Sequence, residues 1–417
     1  MTRISTDRSA EPRRARWPWR AGVIATIVLL VVVFVGAQWY GQRETTVLTD
    51  ANAAAVADET PVLSLRRGGG YQDDGALRGD DRIVRSDMAD AGMQTVFTAP
   101  RIQTFVVDDR WIVVAVADRR TAATKLELLD RQAADATSKD ARELVLPIEA
   151  TVIGLALAGD TVSATINPLD YSQPGGQVIA WSLVGGEGSV SGAPVHTPDG
   201  ELVQGNQVVL TEDGRFAVVR QWDNTMLRVA LSAVRTDQQY DDAERAPLPL
   251  GSYTEVLGSA AQQRLLVSDQ NGTFALVDPV NGGRQRLDTS LPKDVDGGSR
   301  LVQLAPAPFG AVAVYEKSAG DQTIDTVYSL TRDGARRIAT SEGRGSVSGV
   351  CASPSGRFIA VTTAPADASD DGYVMMPNVT GAQTEVFAAD QPVSIGTLPG
   401  LRPSWCQGYQ RVLAGLY

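Results

Sequence analysis

One short pattern recurs seven times between residues 110 and 417, and it constrains the fold more than any other feature. Each instance is a tight polar turn followed by small and β-branched apolar residues, as in Arg215-Phe-Ala-Val-Val. The instances begin 46 to 55 positions apart, at Arg110, Asp160, Arg215, Arg264, Gly310, Arg357 and Arg411. A recurrence at this period is typical of a β-propeller, in which each repeat is one four-stranded blade. The sequence therefore predicts an all-β, seven-bladed β-propeller.

A second repeated element supports this prediction. Candidate inner strands precede the apolar runs, for example at Gln103–Val107 and Val347–Cys351. After the runs comes an apolar strand, a glycine turn and another strand, which predicts outer hairpins at 274–287, 327–338 and 374–387. Two independent elements that recur in the same order indicate repeated blades rather than scattered apolar segments.

The two ends of the repeat region are both incomplete. The seventh run, at Arg411, is followed by no further strands, while two strand candidates at 61–65 and 93–98 belong to no repeat. Residues 66–81 between them form a Gly- and Asp-rich loop without periodicity. We therefore expect the N-terminal strands to complete the last blade and to close the ring, which would remove exposed sheet edges.

The N-terminal region predicts a membrane anchor. Residues 21–38 carry no charge and are long enough to cross about 30 Å of hydrocarbon. Aromatic residues flank the stretch, and six arginines precede it, so the positive-inside rule leaves the N-terminus in the cytoplasm. The prediction is a cytoplasmic basic tail (1–20), a transmembrane helix (21–40), a stalk (41–58) and an extracytoplasmic propeller (59–417). We therefore expect a single-pass protein of the cell inner membrane with a periplasmic C-terminal domain.

A cleaved signal peptide has the same order of basic and apolar segments. Against that alternative, no small-x-small cleavage site follows the apolar run closely, since Gln38-Trp39-Tyr40 is a poor one. The net charge of the chain is −11 even though its tail is basic, so the exported part is acidic. An acidic domain lacks the electrostatic footprint of a nucleic-acid-binding protein.

The chain has two cysteines, Cys351 and Cys406. They precede the runs at Arg357 and Arg411 by six and five residues, so they occupy nearly equivalent places in successive repeats. An even pair in an oxidising compartment predicts a disulfide, here between neighbouring inner strands. The alternative is two buried, unpaired thiols.

Catalytic motifs are absent from the sequence. Its one histidine, His196, has neither a nucleophile nor an orienting group beside it. Acidic pairs such as Asp73-Asp74 and Asp370-Asp371 lack a full calcium-loop pattern, and no zinc, P-loop or dinucleotide motif is present. We expect no enzyme activity, no metal and no cofactor. We interpret the arginines that begin the repeats as structural, tying each turn to its neighbour.

Binding is the better supported expectation. In a propeller, the loops that join second to third strands share one face around the axis. Aromatic side chains on such loops stack on sugar rings or fill the centre of an interface. The residues of these loops that we predict to bind ligand are Tyr171, Trp222, Asp223, Asn271 and Lys317.

The overall layout resembles an actinobacterial envelope family, the polar growth factor A type of mycolic-acid-producing bacteria. The likeness lies in the Arg-rich tail, the single span and the acidic seven-repeat propeller, over nearly the whole chain. The resemblance implies a periplasmic propeller that handles a glycolipid, trehalose monomycolate, together with its membrane lipid transporter during envelope assembly. Two alternatives remain: a propeller hydrolase or lactonase acting on envelope carbohydrate, and a pure protein-interaction scaffold.

Overall fold

A computed structural model describes most of the chain between residues 62 and 411. The described residues are 62–66, 68, 79–86, 93–118, 121, 123–184, 188–197, 199–211, 213–222, 226–231, 253–260, 264–269, 274–279, 282–287, 298–319, 322–342, 345–364, 383–401, 403–406 and 410–411. The predicted tail, transmembrane helix and stalk lie outside these ranges. Within them the secondary structure is β throughout, and they contain no helix of the length and apolarity that a membrane crossing requires.

The first sixteen strands cover residues 62–230. They are β1 (Val62–Arg66), β2 (Asp81–Ser86), β3 (Met93–Ala99), β4 (Ile102–Val107), β5 (Trp111–Ala117), β6 (Thr124–Asp130), β7 (Ala136–Thr137), β8 (Arg142–Val145), β9 (Ala150–Ala158), β10 (Thr161–Pro168), β11 (Gln177–Ser182), β12 (Val190–Ser191), β13 (Ala193–Pro194), β14 (Gln207–Leu210), β15 (Phe216–Arg220) and β16 (Met226–Ala230).

The remaining thirteen strands continue the same up-and-down order. They are β17 (Tyr253–Ala260), β18 (Arg264–Asp269), β19 (Phe274–Val277), β20 (Arg284–Leu287), β21 (Arg300–Ala307), β22 (Gly310–Ala319), β23 (Gln322–Thr331), β24 (Gly334–Thr340), β25 (Ser346–Ala352), β26 (Phe358–Ala364), β27 (Gln383–Ala388), β28 (Ser394–Pro399) and β29 (Gln410–Arg411).

These strands form seven sheets, which are the seven blades of a β-propeller. In order of first strand the blades are β1-β2-β3-β7, β4-β5-β6-β8-β12, β29-β9-β10-β11-β13, β14-β15-β16, β17-β18-β19-β20, β21-β22-β23-β24 and β25-β26-β27-β28. The inner strands β4, β9, β14, β17, β21 and β25 contact one another in succession. The predicted all-β, seven-bladed propeller is therefore confirmed.

Six of the seven apolar runs are the second strands of blades, as predicted. They are β5, β10, β15, β18, β22 and β26. The seventh run is different, because Gln410 and Arg411 pair with Leu155 and Gly154 of β9 instead of with N-terminal strands. Before this run, Leu401 already pairs with Leu65 of β1.

The third predicted outer hairpin is displaced by one strand. We predicted that residues 383–387 would be the outermost strand of their blade, but β27 pairs directly with β26. The outermost strand is β28, which follows a turn in which the Gln391 amide donates to the Ala388 carbonyl. The error came from interpreting Gly381 as the hairpin turn. Residues 374–377, the other half of that prediction, lie outside the described ranges.

The N-terminal strands β1, β2 and β3 form one sheet with β7. The predicted strands at 61–65 and 93–98 are present as β1 and β3, with the unpredicted β2 between them. On its other edge β1 pairs with the segment that contains Leu401 and Ser404. The Leu65 and Leu401 amides each donate to the other's carbonyl, at 2.7 and 2.9 Å, and the Ser404 amide donates to the Leu63 carbonyl at 2.7 Å.

The disulfide between Cys351 and Cys406 is confirmed, with 5.0 Å between the Cα atoms. Cys351 lies on β25 of blade 7, and Cys406 follows the residues that pair with β1. Beside it, Phe358 and Trp405 stack with 6.2 Å between ring centroids. The disulfide therefore joins blade 7 to the chain segment beside blade 1.

Apolar side chains fill the spaces between neighbouring blades. The largest fully buried one is Trp181, which packs between blades 2 and 3 and donates from Nε1 to the Val145 carbonyl at 3.2 Å. A Cβ on Gly192 would lie 2.5 Å from this indole, so glycine is required where the chain passes the ring.

Buried polar side chains also connect blades. Asp81, Thr124 and Asp325 each accept a hydrogen bond from the backbone amide of an inner strand in the next blade. The donors are Ile102 (2.9 Å), Val152 (3.0 Å) and Val347 (2.7 Å), respectively. These bonds satisfy buried amides at the irregular starts of the inner strands, where the register shifts.

Two of the repeat-start arginines contact the aromatic residue that follows them. The Arg110 guanidinium carbon lies 4.5 Å from the Trp111 ring centroid, and that of Arg215 lies 5.8 Å from the Phe216 centroid. Arg110 also approaches Asp160 of the next blade at 4.0 Å. These contacts fit the structural role that we expected for them.

Candidate binding site

The loops between second and third strands lie at one end of the propeller, which we call the upper face. All blades repeat the same antiparallel order, so the residues after β10 in blade 3 and after β15 in blade 4 emerge at this same end. Tyr171 and Trp222 lie in these two loops.

A hydrogen-bonded turn presents Tyr171 to solvent. The Asp170 carboxylate accepts from the Ser172 amide at 3.0 Å, and the Asp170 carbonyl accepts from the Gln173 amide at 3.0 Å. The bond from Ser172 lowers the pKa of Asp170, so this carboxylate is charged near neutral pH. Tyr171 occupies the tip of the turn with 97% of its side chain exposed. An aromatic ring on a fixed turn and in contact with water is available to a partner.

The same loop is fastened at its base. The Gly176 amide donates to Asn167 Oδ1 at 2.9 Å, which ties the two ends of the loop together. The Gly205 amide donates to the Gly176 carbonyl at 2.8 Å and connects the loop to the chain entering blade 4. Gly176 has a φ of +73°, which a residue with a Cβ rarely adopts.

Trp222 lies against this junction. A Cβ on Gly176 would lie 2.7 Å from Cζ2 of Trp222 and 2.5 Å from the Gly205 carbonyl oxygen, so the indole and the two glycine backbones meet. The Trp222 side chain nevertheless remains 56% exposed. The absence of a side chain at Gly176 thus allows the indole to pack by one part and to present the rest to solvent.

Asn206 follows Gly205 at this junction. Its amide donates to the Arg220 carbonyl at 3.0 Å, while its side-chain Oδ1 is buried without a hydrogen-bond partner in the described part of the chain. Our sequence interpretation missed Asn206 because it considered the loops after second strands and not the segment that enters the inner strand. The polar triplet Gly205-Asn206-Gln207 ahead of an apolar strand was the available signal.

We call the assembly of residues 167–176, Gly205, Asn206 and Trp222 the aromatic ledge. It joins blades 3 and 4 at the upper face and contains two of the five predicted ligand-binding residues. Asp223 and Asn271 lie outside the described residues. Lys317 lies in blade 6, within strand β22 rather than in a loop.

The position of Lys317 corrects the predicted loop at 316–321. Strand β22 continues to Ala319 and β23 begins at Gln322, so the two strands form a long hairpin with a short connection. The adjacent Glu316 carboxylate pairs with Arg300 at 2.9 Å. The polar composition of this segment indicated a loop, whereas cross-strand pairing keeps it extended.

The buried carboxylates serve as structural groups. Burial raises the pKa of Asp108 and of Asp325, although the Asp108 carboxylate accepts from the Trp111 amide and that of Asp325 from the Val347 amide. His196 is exposed, and its Nδ1 lies 3.1 Å from the Pro194 carbonyl. In the ranges that the structure describes, no three His, Cys, Asp or Glu side chains are grouped as metal ligands would be.

Comparison with known proteins gives a fold and no family. No protein-family model and no curated protein matches the chain. Among solved structures, a Bacteroides fragilis protein named as a 6-phosphogluconolactonase is 12% identical with a TM-score of 0.47, and the match covers 84% of this chain and 97% of that one.

Two further structures are similar at the same level. A Bacteroides uniformis protein, also named as a 6-phosphogluconolactonase, is 12% identical with a TM-score of 0.45 and coverages of 81% and 99%. A Lactobacillus plantarum protein is 12% identical with a TM-score of 0.45 and coverages of 83% and 96%. Likenesses this distant carry no argument about activity, so function rests on the geometry of the ledge.

Proposed function

We propose that the protein is a non-enzymatic, membrane-anchored propeller whose aromatic ledge binds the sugar headgroup of an envelope glycolipid. The observation that carries the proposal is the pair of exposed aromatic side chains, Tyr171 and Trp222, on a hydrogen-bonded ledge that joins blades 3 and 4. Aromatic rings cover the apolar faces of sugars, and the hydroxyl groups of a sugar donate to exposed acceptors such as the Asp170 carboxylate beside Tyr171. A trehalose headgroup, as in trehalose monomycolate, has this combination of faces and hydroxyls.

The ledge is suited to such a ligand because it is organised before binding. The bonds at Asp170, Asn167 and Gly205 fix the loop that carries Tyr171, so little conformational entropy is lost when a ligand binds. A membrane lipid transporter that delivers or receives the glycolipid is the partner that the proposal includes.

Calorimetry with the full-length protein in detergent tests the proposal. Trehalose and a short-chain trehalose ester are titrated into the wild type and into Tyr171→Ala and Trp222→Ala. We expect each substitution to weaken binding by about tenfold or more, as loss of a central aromatic contact does. Met93→Ala, which removes an exposed apolar side chain on blade 1, is the control and should bind as the wild type does. Failure of the wild type to bind either probe would contradict the proposal.

The hydrolase or lactonase alternative is tested in the same preparation. The protein is incubated with the ester and with sugar lactones, and products are followed by mass spectrometry. Turnover of the ester or of a lactone by the homogeneous protein would contradict the non-enzymatic proposal and favour the hydrolase or lactonase alternative. Retention of a transporter without any sugar binding would instead favour a pure scaffold.

We also propose that the N-terminal strands close the ring. Supporting this, β1 is hydrogen-bonded to Leu401 and Ser404, and the disulfide at Cys406 leads to blade 7. Leu401 packs in one cluster with Leu63 of blade 1 and Phe105 of blade 2. A closed ring would hold the blades of the ledge in fixed positions.

A further inference from the structure

Strand β29 occupies an unusual position. Gln410 and Arg411 pair antiparallel with Leu155 and Gly154, in the middle of the inner strand β9. In the described sheets of blades 2 and 4 to 7, the inner strand is the last of its sheet. In the described sheet of blade 3, by contrast, β29 lies on the inner side of the inner strand.

The inner edge of β9 faces the axis of the propeller. The inner strands contact one another around the ring, so the edge that does not pair within its own blade faces the central channel. Such an edge has unpaired backbone N–H and C=O groups that can accept another strand. β29 therefore lies against the channel wall.

The chain is held at both sides of this contact. Before it, Leu401 and Ser404 bond to β1, and Cys406 bonds covalently to Cys351 of blade 7. Gln410 follows Cys406 by four positions, and an extended chain of this length spans up to about 14 Å. The tether keeps the segment at a high effective concentration near β9.

We propose that the axial edge of β9 is a strand-addition site and that the segment containing Gln410 and Arg411 is its resident occupant. Backbone pairing supplies the affinity, as in other cases of β-strand addition. The neighbouring sequence Tyr409 to Leu413 is rich in residues that favour strands. The segment thus fills one wall of the channel, and an extended peptide from a partner protein can reach β9 only by displacing it.

Hydrogen–deuterium exchange of the full-length protein tests this proposal. In the double variant Gln410→Pro/Arg411→Pro, the segment loses two backbone donors. We expect amides in residues 152–156 to exchange about tenfold faster, the effect of losing a backbone hydrogen bond. The inner strand β21, which is the last strand of its described sheet, should exchange as in the wild type. A synthetic peptide of residues 407–417 added to the variant should restore the protection of β9.

A cross-link keeps the test decisive if the prolines disturb the whole domain. Gly154→Cys with Arg411→Cys places two thiols opposite each other, and mass spectrometry of the digested protein should detect the bond between positions 154 and 411. Unchanged exchange in β9 of a folded proline variant would overturn the proposal. A well-folded cysteine variant without the 154–411 bond would overturn it too.

Discussion

Glu127 is a buried carboxylate in an environment that disfavours its charge. It lies on β6 directly opposite Glu143 of β8, and its Oε2 has no hydrogen-bond partner in the described residues. Burial raises the pKa of Glu127 and Glu143 adds to the effect, while a hydrogen bond from Ser138 and the charge of Lys125 partly offset it. The folded protein therefore holds a proton at Glu127 more tightly than the unfolded chain does.

This difference makes stability depend on pH. The contribution of Glu127 is fully present below the unfolded pKa, about 4.3, and is lost as pH rises through the raised folded value. Position 127 does not titrate in Glu127→Gln, so this variant does not lose stability there as the pH rises. Urea unfolding gives the free energy of unfolding of the wild type and the variant at pH 4 and at pH 8. The wild type should be less stable relative to the variant at pH 8 than at pH 4.

Glu201→Gln, at an exposed carboxylate in blade 3, controls for the removal of one negative charge. Its stability relative to the wild type should change less between the two pH values than that of Glu127→Gln. If the free energy of unfolding of Glu127→Gln and of the wild type changed equally between the two pH values, burial would not perturb the pKa of Glu127.

At the scale of strands, the sequence allowed prediction wherever apolar periodicity was strong. The runs at Arg215 and Arg357 lead into second strands because their β-branched residues fill the space between blades. β2 was missed because the charged residues Asp81, Arg82 and Arg85 mask its apolar pair, Ile83 and Val84. The bond from Ile102 to Asp81 joins positions 21 apart, and no local pattern predicts it.

The disulfide is an element-scale constraint whose loss should be measurable. It closes a loop of 55 residues, for which the chain-entropy model gives about 4 kcal/mol. Cys351→Ser with Cys406→Ser should lower the melting temperature and should speed amide exchange first in β1 and β25. Labelling of the denatured, non-reduced wild type should find no free thiol. Two reactive thiols per chain would contradict the bond.

Deletion of residues 59–99 tests the closure that we propose. The deletion removes β1, β2 and β3 and exposes Ile102 and Phe105, which are buried against them. It also leaves the end of the chain without the strand to which Leu401 bonds. We expect the whole domain to lose cooperative unfolding in calorimetry. A variant lacking residues 59–99 that melts as the full-length protein does would show that the ring does not need these strands.

For the whole molecule, the sequence predicted the number of blades and the cysteine pair but only part of the candidate site. Tyr171 and Trp222 were identifiable because aromatic residues in polar loops are unusual. The sequence did not predict their association. It depends on contact between the backbones of Gly176 and Gly205, which lie in turns of different blades. The anchor at 21–40 lies outside the described residues and stays a prediction.

Native mass spectrometry of protein purified from its own membrane tests the central claim most directly. The full-length wild type should retain a trehalose-containing glycolipid, identified by its mass and by its fragments. The double variant Tyr171→Ala/Trp222→Ala should fold with the same melting temperature, since both side chains are largely exposed, and should retain little or none. A wild type free of glycolipid, or a variant that retains as much as the wild type, would contradict the proposed function.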